Sequence, residues 1–539
     1  MIVVGVFLRF THLDGKIFGN DEATTSIHVS GKTIAQYAAT MFDGRRRTAN
    51  ELLVFQKPDP AHGARDVVAS LAVEDPQHPP LYYLLEWQWE RSAGSSITAR
   101  RVLSAVFGAV TLLSAFWLGF ELDSLLAGWI MAAIVAASPF ALAYSQVARE
   151  YSLWLALTFA ASALYIRAVR SGGPVVWLGY AIVSIAGLYT DALFLLVLVA
   201  HALALAVPAP RRRAAALEFG VALVLIVAAY LPWIRALTYG YTHGSVTNNT
   251  YLSSGFSLKP FVLKWIFNVG TLFYDADYLY PKSAVLILPG FVALGLALVA
   301  CARRLRGNPS LGLIFTLAGV AIAALVLPDL IHHEQRSTAS RYLIPLWVAA
   351  YAALGVGLAL ASRSPRAGMR AAAFGFVVLT AVTGFGSFAI SSRRDTWWVD
   401  GGTAPIGAIA RAIDHAKDPV VVWHSTWGPG RSGPELWDFS VVMLADIVAP
   451  TTAFVQYGRD ESKSMLPAAG SMLLLDPNEA VVAALRARGS QVAEIAGGST
   501  AAASPEIAAF RKSVARERER RGQAAGLSPT PSLWTIQDR

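Results

Sequence analysis

Charge is scarce in this chain. Asp, Glu, Lys and Arg make up only 15% of its 539 residues, whereas an ordinary soluble protein carries about 25%. Hydrophobic residues account for 55% of the chain, and the mean hydropathy is +0.46. This deficit argues against an ordinary soluble protein and favours one that resides in a membrane.

Cysteine is almost absent, since Cys301 is the only one. A single cysteine can form neither a disulfide nor a thiolate metal cluster, and we interpret Cys301 as a small packed apolar residue. The net charge of +9 comes mostly from short loops and a basic tail. We therefore attribute it to membrane topology rather than to nucleic-acid binding.

The hydrophobic residues are gathered in long runs. Most runs approach the ~20 residues that cross a bilayer as a helix, and their Gly and Pro content is typical of membrane bundles. Ile2–Phe10 is too short to cross alone, so we expect either a truncated start or a helix that continues toward Leu13. With it, we predict about eleven transmembrane helices and no cleaved signal peptide. The other runs are Val102–Gly119, Leu125–Ala143, Leu153–Ile166, Val175–Leu188, Ala192–Val207, Ala215–Trp233, Ala284–Ala302, Leu311–Leu327, Leu343–Ala361 and Ala371–Ile390.

Basic loops recur at every second connection between these runs. The positive-inside rule places such loops, and with them the N-terminus, in the cytoplasm. Arg100-Arg101 on the outer side and an acidic inner loop at Glu121 run against the pattern. The basic loops are those around Arg167, Arg211, Arg303 and Arg363. The segments predicted to lie outside are 11–97, 144–151, 236–282, 329–340 and everything after about 391.

The sequence divides into two predicted domains. Residues 1–390 would form an all-α polytopic membrane bundle that includes the first outer loop, 11–97. Residues 391–539 would form a soluble α/β domain, because β-branched runs alternate there with helical patterns. Its predicted strands are Val420–Trp423, Ala453–Tyr457, Met472–Leu475 and Gln491–Ile495, with helices at Glu479–Arg488 and Arg511–Arg521.

The acidic pair Asp21-Glu22 lies just past the first apolar run, at the start of the predicted outer loop. A carboxylate that enters the bilayer core costs about 2.5–3.5 kcal/mol even on a lenient scale, so two of them at the membrane surface need a reason. One reason is structural, since Asn20-Asp21-Glu22 is a good start for a helix. The alternative is chemistry.

Further polar residues share the predicted outer face. His78 precedes Pro79-Pro80 and an aromatic helix, and it is either a turn residue or a ligand contact. Arg149 lies in a short turn between two spans, where it either reaches toward lipid headgroups or binds a phosphate. Arg336 and Arg341 precede a late span and are suited to hold an anion. His332-His333-Glu334, directly before this segment, could suggest a metal, but adjacent helical histidines point about 100° apart and lack the spacing of zinc enzymes.

These groups together suggest one task. A carboxylate can accept a proton from an attacking hydroxyl, and arginines can neutralise a phosphate leaving group. Interfacial aromatic residues can admit a lipid tail from the side. The set is what displacement of a lipid-linked phosphate from a sugar requires.

Five motifs in order carry a resemblance to a known family. The chain resembles the GT-C membrane glycosyltransferases of the protein O-mannosyltransferase and aminoarabinose transferase type over about residues 1–390. The motifs are Asn20-Asp21-Glu22-Ala23, His78-Pro79-Pro80-Leu81-Tyr82-Tyr83, Arg101–Gly108, Ser138-Pro139 with Tyr144–Ser152, and Arg341-Tyr342-Leu343-Ile344-Pro345.

The resemblance implies an inverting transfer from a polyprenyl-phosphate sugar to a lipid, glycan or protein acceptor, at the periplasmic or extracellular face of the plasma membrane. Asp21 would be the general base, with Glu22 beside it. His78, Arg149, Arg336 and Arg341 would bind the donor phosphate, and Tyr82, Tyr151 and Tyr342 would contact substrate. Gln77 stands where some aminoarabinose transferases carry an acid, so we predict no metal and no other cofactor.

Two other functions fit a polytopic protein with outer arginines. One is a transporter or flippase of lipid-linked sugars, although such proteins usually show internal repeats and polar residues at mid-bilayer. The other is an inactive relative that acts as a binding or sensor protein.

Overall fold

The computed structural model describes residues 1–41, 44–208, 210–243, 256–275, 285–398, 405–424, 438–457, 472–475, 477, 479–487, 489–497 and 532–537. The helix predicted at 511–521 lies outside these residues, as does part of the predicted outer segment 236–282.

The first helix, α1, is short and the outer loop that follows it is largely helical. Helix α1 covers Ile2–Arg9. The loop contains α2 (Asn20–Val29), α3 (Ile34–Met41), the two-residue strand β1 (Arg47–Thr48), α4 (Ala49–Leu52), α5 (Ala64–Glu74) and α6 (Leu81–Ala93). The aromatic helix predicted after Pro79-Pro80 is confirmed as α6.

Among the residues that the structure describes, seven helices are long and apolar enough to cross a membrane. Three shorter apolar helices accompany them, so the multi-pass bundle is confirmed, while the number of about eleven spans stays a prediction. The bundle helices are α7 (Ile97–Leu122), α8 (Leu125–Ala137), α9 (Pro139–Tyr144), α10 (Tyr151–Ser171), α11 (Pro174–Thr190), α12 (Phe194–Ala204), α13 (Arg212–His243), α14 (Leu258–Gly270), α15 (Leu288–Arg304), α16 (Gly312–Ala321), α17 (Leu327–His332), α18 (Ile344–Ser362) and α19 (Ala367–Ser391). A π-helical turn, Ile322–Val326, joins α16 to α17.

Two buried side chains satisfy the backbone where helices end inside the bundle. Between α8 and α9 the chain breaks at Pro139, and the Arg9 guanidinium donates to the carbonyl oxygens of Val135 (3.1 Å) and Ala136 (3.3 Å). Gln146 donates from Nε2 to the carbonyl of Leu8, 2.7 Å away, near the end of α1. Unpaired backbone groups are costly where water is excluded, so these bonds fix α1 against α8 and against the turn after α9.

The C-terminal region contributes five of the six described strands of one sheet, together with helices, and the outer loop contributes the sixth, β1. The predicted alternation of strands and helices is confirmed: β2 is parallel to both β3 and β4, and the sheet order is β1-β3-β2-β4-β6-β5. The elements are α20 (Ile406–His415), β2 (Val420–His424), α21 (Asp438–Ala445), β3 (Ala453–Tyr457), β4 (Met472–Leu475), α22 (Glu479–Ala487), β5 (Gln491–Gly497) and β6 (Ser532–Gln537).

The outer loop and the C-terminal region share one hydrophobic core. Strand β1 of the loop pairs antiparallel with β3, with Thr48 opposite Ala453. Phe18 and Ile27, on either side of the start of α2, belong to the same buried cluster as Val441 of α21. The division of the chain into two domains at residue 390 stays a prediction. The shared core shows that α2 packs against residues from before and after this position.

Candidate active site

Asp21 lies in the first turn of α2, where its side chain is about 30% exposed. Arg341 Nη1 lies 3.5 Å from its Oδ2, and the Tyr151 hydroxyl donates to the same oxygen over 3.4 Å. The Arg149 guanidinium donates to the main-chain oxygen of Asp21, also over 3.4 Å. An accessible carboxylate is thus surrounded by two cations and a phenol.

Electrostatics keep Asp21 ionised. Burial raises the pKa of its carboxyl group, but the charges of Arg341, Arg149 and His78 and the Tyr151 hydrogen bond lower it, and the net pKa falls below the ordinary value. Asp21 is therefore a carboxylate at neutral pH, as a proton acceptor must be.

Arg149 is the buried centre of the site, in the turn between α9 and α10. Its guanidinium donates to Thr25 Oγ1 (2.8 Å), Tyr83 Oη (3.0 Å) and His78 Nε2 (3.0 Å). Its Nε lies 3.2 Å from a carboxylate oxygen of Glu150. Burial lowers the pKa of Arg149, but Glu150 and the neighbouring oxygen groups raise it well above the ordinary value, so the side chain stays cationic.

His78 links Arg149 to a buried acid. Its Nδ1 lies 2.9 Å from Asp75 Oδ2. A guanidinium only donates, so Nε2, 3.0 Å from Arg149 Nη2, accepts from it when the ring is neutral, and Nδ1–H then donates to Asp75. Burial raises the pKa of Asp75, but His78, His28 and Arg149 lower it to about 2. Burial lowers the pKa of His78, yet Asp75 and Glu150 prevail over Arg149 and raise it above the ordinary value.

Arg341 reaches the site from a 3₁₀ turn, Ser340–Leu343. Its guanidinium carbon lies 5.8 Å from the ring centre of Tyr151 and 5.3 Å from that of Tyr342. The turn is fixed because Trp347 Nε1 donates to the Ser340 carbonyl over 2.8 Å. These aromatic contacts hold the cation beside Asp21 while leaving it partly exposed.

Glu22 occupies a different environment, although it adjoins Asp21. It is 1% exposed, and both of its oxygens accept from Arg101, at 2.7 and 2.6 Å. It also accepts from the backbone N–H groups of Gly19 (2.9 Å) and Ala148 (2.7 Å). Through the Gly19 bond, the Glu22 carboxylate caps the start of α2, where the sequence predicted a helix start. Glu22 therefore ties α2, α7 and the Arg149 turn together.

Two predicted site residues lie apart from this group. The Tyr82 hydroxyl is buried and bonds to Ser104 Oγ at 2.8 Å, whereas the next residue, Tyr83, contacts Arg149. Arg336 is 52% exposed and pairs with Glu334 at 2.9 Å. His333 has a left-handed backbone (φ 57°) and ends α17. Across the described residues, no three His, Cys, Asp or Glu side chains are grouped to hold a metal ion.

Four contact residues were not among the predicted site residues. Thr25 lies four residues after Asp21, hence on the same helix face, and Asp75 lies three before His78; helical and turn spacing could have identified both. Glu150 directly follows Arg149. Tyr83 could not be preferred to Tyr82, because neighbouring residues of a helix point in different directions and the sequence does not show which direction faces the site.

The fold and this group of side chains define a class of protein. A multi-pass helical bundle bears, at the end where its first loop emerges, a carboxylate–arginine group covered by that loop and a C-terminal α/β region. This is the GT-C fold, as the sequence resemblance implied.

Solved structures with this fold include ArnT from Cupriavidus metallidurans. The form bound to undecaprenyl phosphate matches with a TM-score of 0.52 at 12% identity, over 99% of this chain and 97% of that one. The apo form matches with a TM-score of 0.53 at 12% identity, over 99% and 96%. The oligosaccharyltransferase AglB from Archaeoglobus fulgidus matches at 0.47 and 14% identity, over 84% and 63%, too loosely to support an argument. No protein-family model and no curated protein sequence matches the chain.

Proposed function

We propose that this protein is a membrane glycosyltransferase. It would transfer a sugar from a polyprenyl-phosphate donor to an acceptor hydroxyl at the outer face of the cytoplasmic membrane. The observation that carries the proposal is the Asp21 group: an accessible, ionised carboxylate lies 3.5 Å from Arg341, with the buried cation Arg149 behind it. The shared fold with ArnT, solved with undecaprenyl phosphate, supports the choice of donor.

The proposed reaction is a single displacement. The acceptor oxygen attacks the anomeric carbon while its proton passes to Asp21. The bond between that carbon and the phosphate oxygen breaks, and its electron pair stays on the phosphate. Because the acceptor attacks from the side opposite the phosphate, the configuration at the anomeric carbon is inverted. The departing polyprenyl phosphate gains one negative charge, which Arg149 and Arg341 are placed to neutralise.

The Arg341–Asp21 pair gives the site a way to adjust its base. A bound phosphate would accept from the same guanidinium and draw it away from Asp21. Without that full positive charge beside it, Asp21 would have a higher pKa and be a stronger proton acceptor. Donor binding would thus prepare the base for the acceptor.

The remaining site residues would act by holding these three groups. His78 and Asp75 fix the orientation of Arg149, and Tyr151 donates to Asp21. Glu22 would be a positioning residue, since its oxygens are already occupied by Arg101 and two backbone groups. The basic loops at the opposite ends of the helices support a periplasmic or extracellular site.

The main test replaces Asp21 with Asn. Because general-base catalysis typically contributes 10²–10⁴-fold, Asp21→Asn should lower turnover of a polyprenyl-phosphate sugar in proteoliposomes by about that factor, with an unchanged melting temperature. Asp14→Asn, an exposed acid of the same loop, is the matched control. Near-normal turnover of a folded Asp21→Asn protein would refute the assignment.

The sugar and acceptor can be found by mass spectrometry of envelope lipids and glycans with and without the gene. Loss of one sugar from one glycan or lipid is the expected result, and the Asp21→Asn gene should not restore it. Restoration by Asp21→Asn, with donor accumulating inside cells that lack the gene, would instead indicate a flippase.

A further inference from the structure

Asp329 is a buried carboxylate that the proposed reaction does not use. It lies in α17, within the apolar segment Pro309–His332 that is long enough to cross a membrane, and it is 0% exposed. An ionisable residue in such a segment is costly and usually has a specific role.

The carboxylate of Asp329 binds the loop that follows its own helix. One oxygen accepts from the backbone N–H of Arg336 at 3.1 Å. The other accepts from both the backbone N–H and the hydroxyl of Ser337, each at 2.6 Å. These residues form a 3₁₀ turn, Arg336–Thr338, so three hydrogen bonds hold that turn on one side chain.

Ending the helix does not require this side chain. Helix α17 stops because His333 adopts the left-handed conformation and the Asp329 carbonyl accepts the Glu334 N–H at 3.0 Å. That arrangement is a backbone motif. The three bonds to the carboxylate are additional and are all directed at the following loop.

The same loop leads directly into the turn that carries Arg341. Between them, Asn268 of α14 donates to the Thr338 carbonyl at 2.9 Å, and the Tyr144 hydroxyl bonds to Ser340 Oγ at 3.0 Å. Ser337 precedes Arg341 by only four residues, so a shift at Ser337 that pulls Thr338 and Ser340 from these partners would move Arg341 as well. Arg341 Nη1 lies at 3.5 Å from Asp21, and a displacement of about 1 Å at a reacting centre can cost 10²-fold in rate.

We infer that Asp329 is a positioning residue for Arg341: it holds the 336–343 loop so that the guanidinium lies beside Asp21, where the donor phosphate would bind. The inference rests on the proposed function, because it assigns Arg341 to the donor phosphate. It predicts that Asp329 acts on donor turnover only through Arg341.

A double-mutant cycle tests this dependence. Arg341→Ala should lower kcat/KM for the polyprenyl-phosphate sugar by about 10²–10³-fold, and Asp329→Ala by up to about 10²-fold. The double variant should be no worse than Arg341→Ala alone, because the loop then has no guanidinium left to place. Binding of sugar-free polyprenyl phosphate should weaken in the same pattern.

Two milder variants keep the test usable if Asp329→Ala does not fold. Asp329→Asn retains one acceptor oxygen but points an NH₂ at a donor, and Ser337→Ala removes only the hydroxyl bond. Both should lower kcat/KM by about 3–10-fold when Arg341 is present, as expected for the loss of one hydrogen bond. Neither should lower it further in the Arg341→Ala variant. Glu121→Gln, another buried acid that pairs with Arg167 at 3.4 Å, is the control and should leave donor binding unchanged.

The outcomes separate this inference from the proposed function. If Arg341→Ala lowers activity but the Asp329 variants do not, or if the losses multiply in the double variant, the positioning role is wrong and the proposed function stands. If Arg341→Ala has no effect, both the positioning role and the assignment of Arg341 to the donor are wrong. Lower melting temperatures with unchanged donor kinetics would also overturn the positioning role.

Discussion

Asp21 and Glu22 are adjacent in the sequence but belong to two different polar regions. The region around Asp21 is partly exposed, and we call it the open region. Arg341 lies 3.5 Å from the Asp21 carboxylate and Arg149 lies 3.4 Å from the Asp21 main-chain oxygen, and Arg341 keeps some solvent access. The region around Glu22 is closed, with bonds of 2.6–2.9 Å to Arg101 and two backbone groups. One carboxylate can accept a proton or release an arginine to a ligand, whereas the other has no capacity left. The longer contacts of Asp21 leave its carboxylate available for chemistry, whereas the four short hydrogen bonds of Glu22 give it a structural role.

The largest effect on folding should come from breaking the closed region. Removing one partner of a buried ion pair typically costs 3–5 kcal/mol, so Glu22→Ala should lower the free energy of unfolding by about that much. Glu51→Ala is a matched control, because Glu51 accepts from the N-cap N–H of Thr48 at the start of α4, as Glu22 does from Gly19, but is exposed. Thermal and denaturant unfolding in detergent measure both. Equal, small losses would mean that the Arg101 network does not support α2.

A second effect, on the pH dependence of stability, concerns Asp191. This buried acid follows the last residue of α11 and is close enough to Glu150, His78 and Arg149 for their charges to act on it. Burial and the Glu150 charge raise the pKa of Asp191 to about 7, against about 3.9 in an unfolded chain. The folded state therefore holds a proton that the unfolded state has lost between these values, and stability falls as pH rises from about 4 to 7. The loss is roughly 4 kcal/mol at most. Asp191→Asn should abolish this slope, so parallel pH profiles of the variant and the native protein would contradict it.

Replacing Arg149 tests how much the open region depends on geometry rather than charge. Lysine keeps the cation but cannot make the bonds to Thr25, Tyr83 and His78 together. Arg149→Lys should reduce donor kcat/KM by about 10²-fold, with a smaller loss of stability than Glu22→Ala because the positive charge is kept. Arg91→Lys, an exposed arginine over the Trp87 ring, should retain full activity. Full activity of Arg149→Lys would show that a positive charge alone is sufficient.

The smallest effect should come from an ion pair that belongs to neither region. Arg411 and Asp395 are 2.9 Å apart but 62% and 44% exposed. Solvent screens such pairs, and they contribute at most about 1 kcal/mol. Arg411→Gln should therefore change the free energy of unfolding by less than that. A larger loss would show that short distance, rather than burial, distinguishes Glu22 from Asp21.

The fold was largely predictable from the sequence, because bilayer thickness and alternation of β-branched residues leave strong one-dimensional patterns. The described residues of the predicted apolar runs lie mostly in helices, although Leu125–Ala143 is divided at Pro139. Strand β1 was not predicted, since two residues carry no periodic signal and its partner is about 400 positions away. The predicted membrane topology was enough to place Asp21, Arg149 and Arg341 on the same predicted side of the bundle.

The finer composition of the site was not predictable. Arg336 and Arg341 have the same charge and lie five residues apart, yet only Arg341 contacts Asp21. The difference arises from the two 3₁₀ turns, Arg336–Thr338 and Ser340–Leu343, whose geometry depends on contacts with α14, α17 and α18. Likewise, the choice of Tyr83 over Tyr82 depends on the rotation of α6 against its neighbours.

Strand β1 has a consequence for the order in which the protein can mature during synthesis. Thr48 pairs with Ala453, so a ribosome that adds ~5–20 residues per second produces the partner strand roughly 20–80 s after β1. During that interval the apolar side of α2 lacks the α21 side chains that cover it in the finished chain. Nascent chains should be most vulnerable to proteases and aggregation in this period, and the base of the proposed reaction would reach its final position only after α21 and β3 have been synthesised.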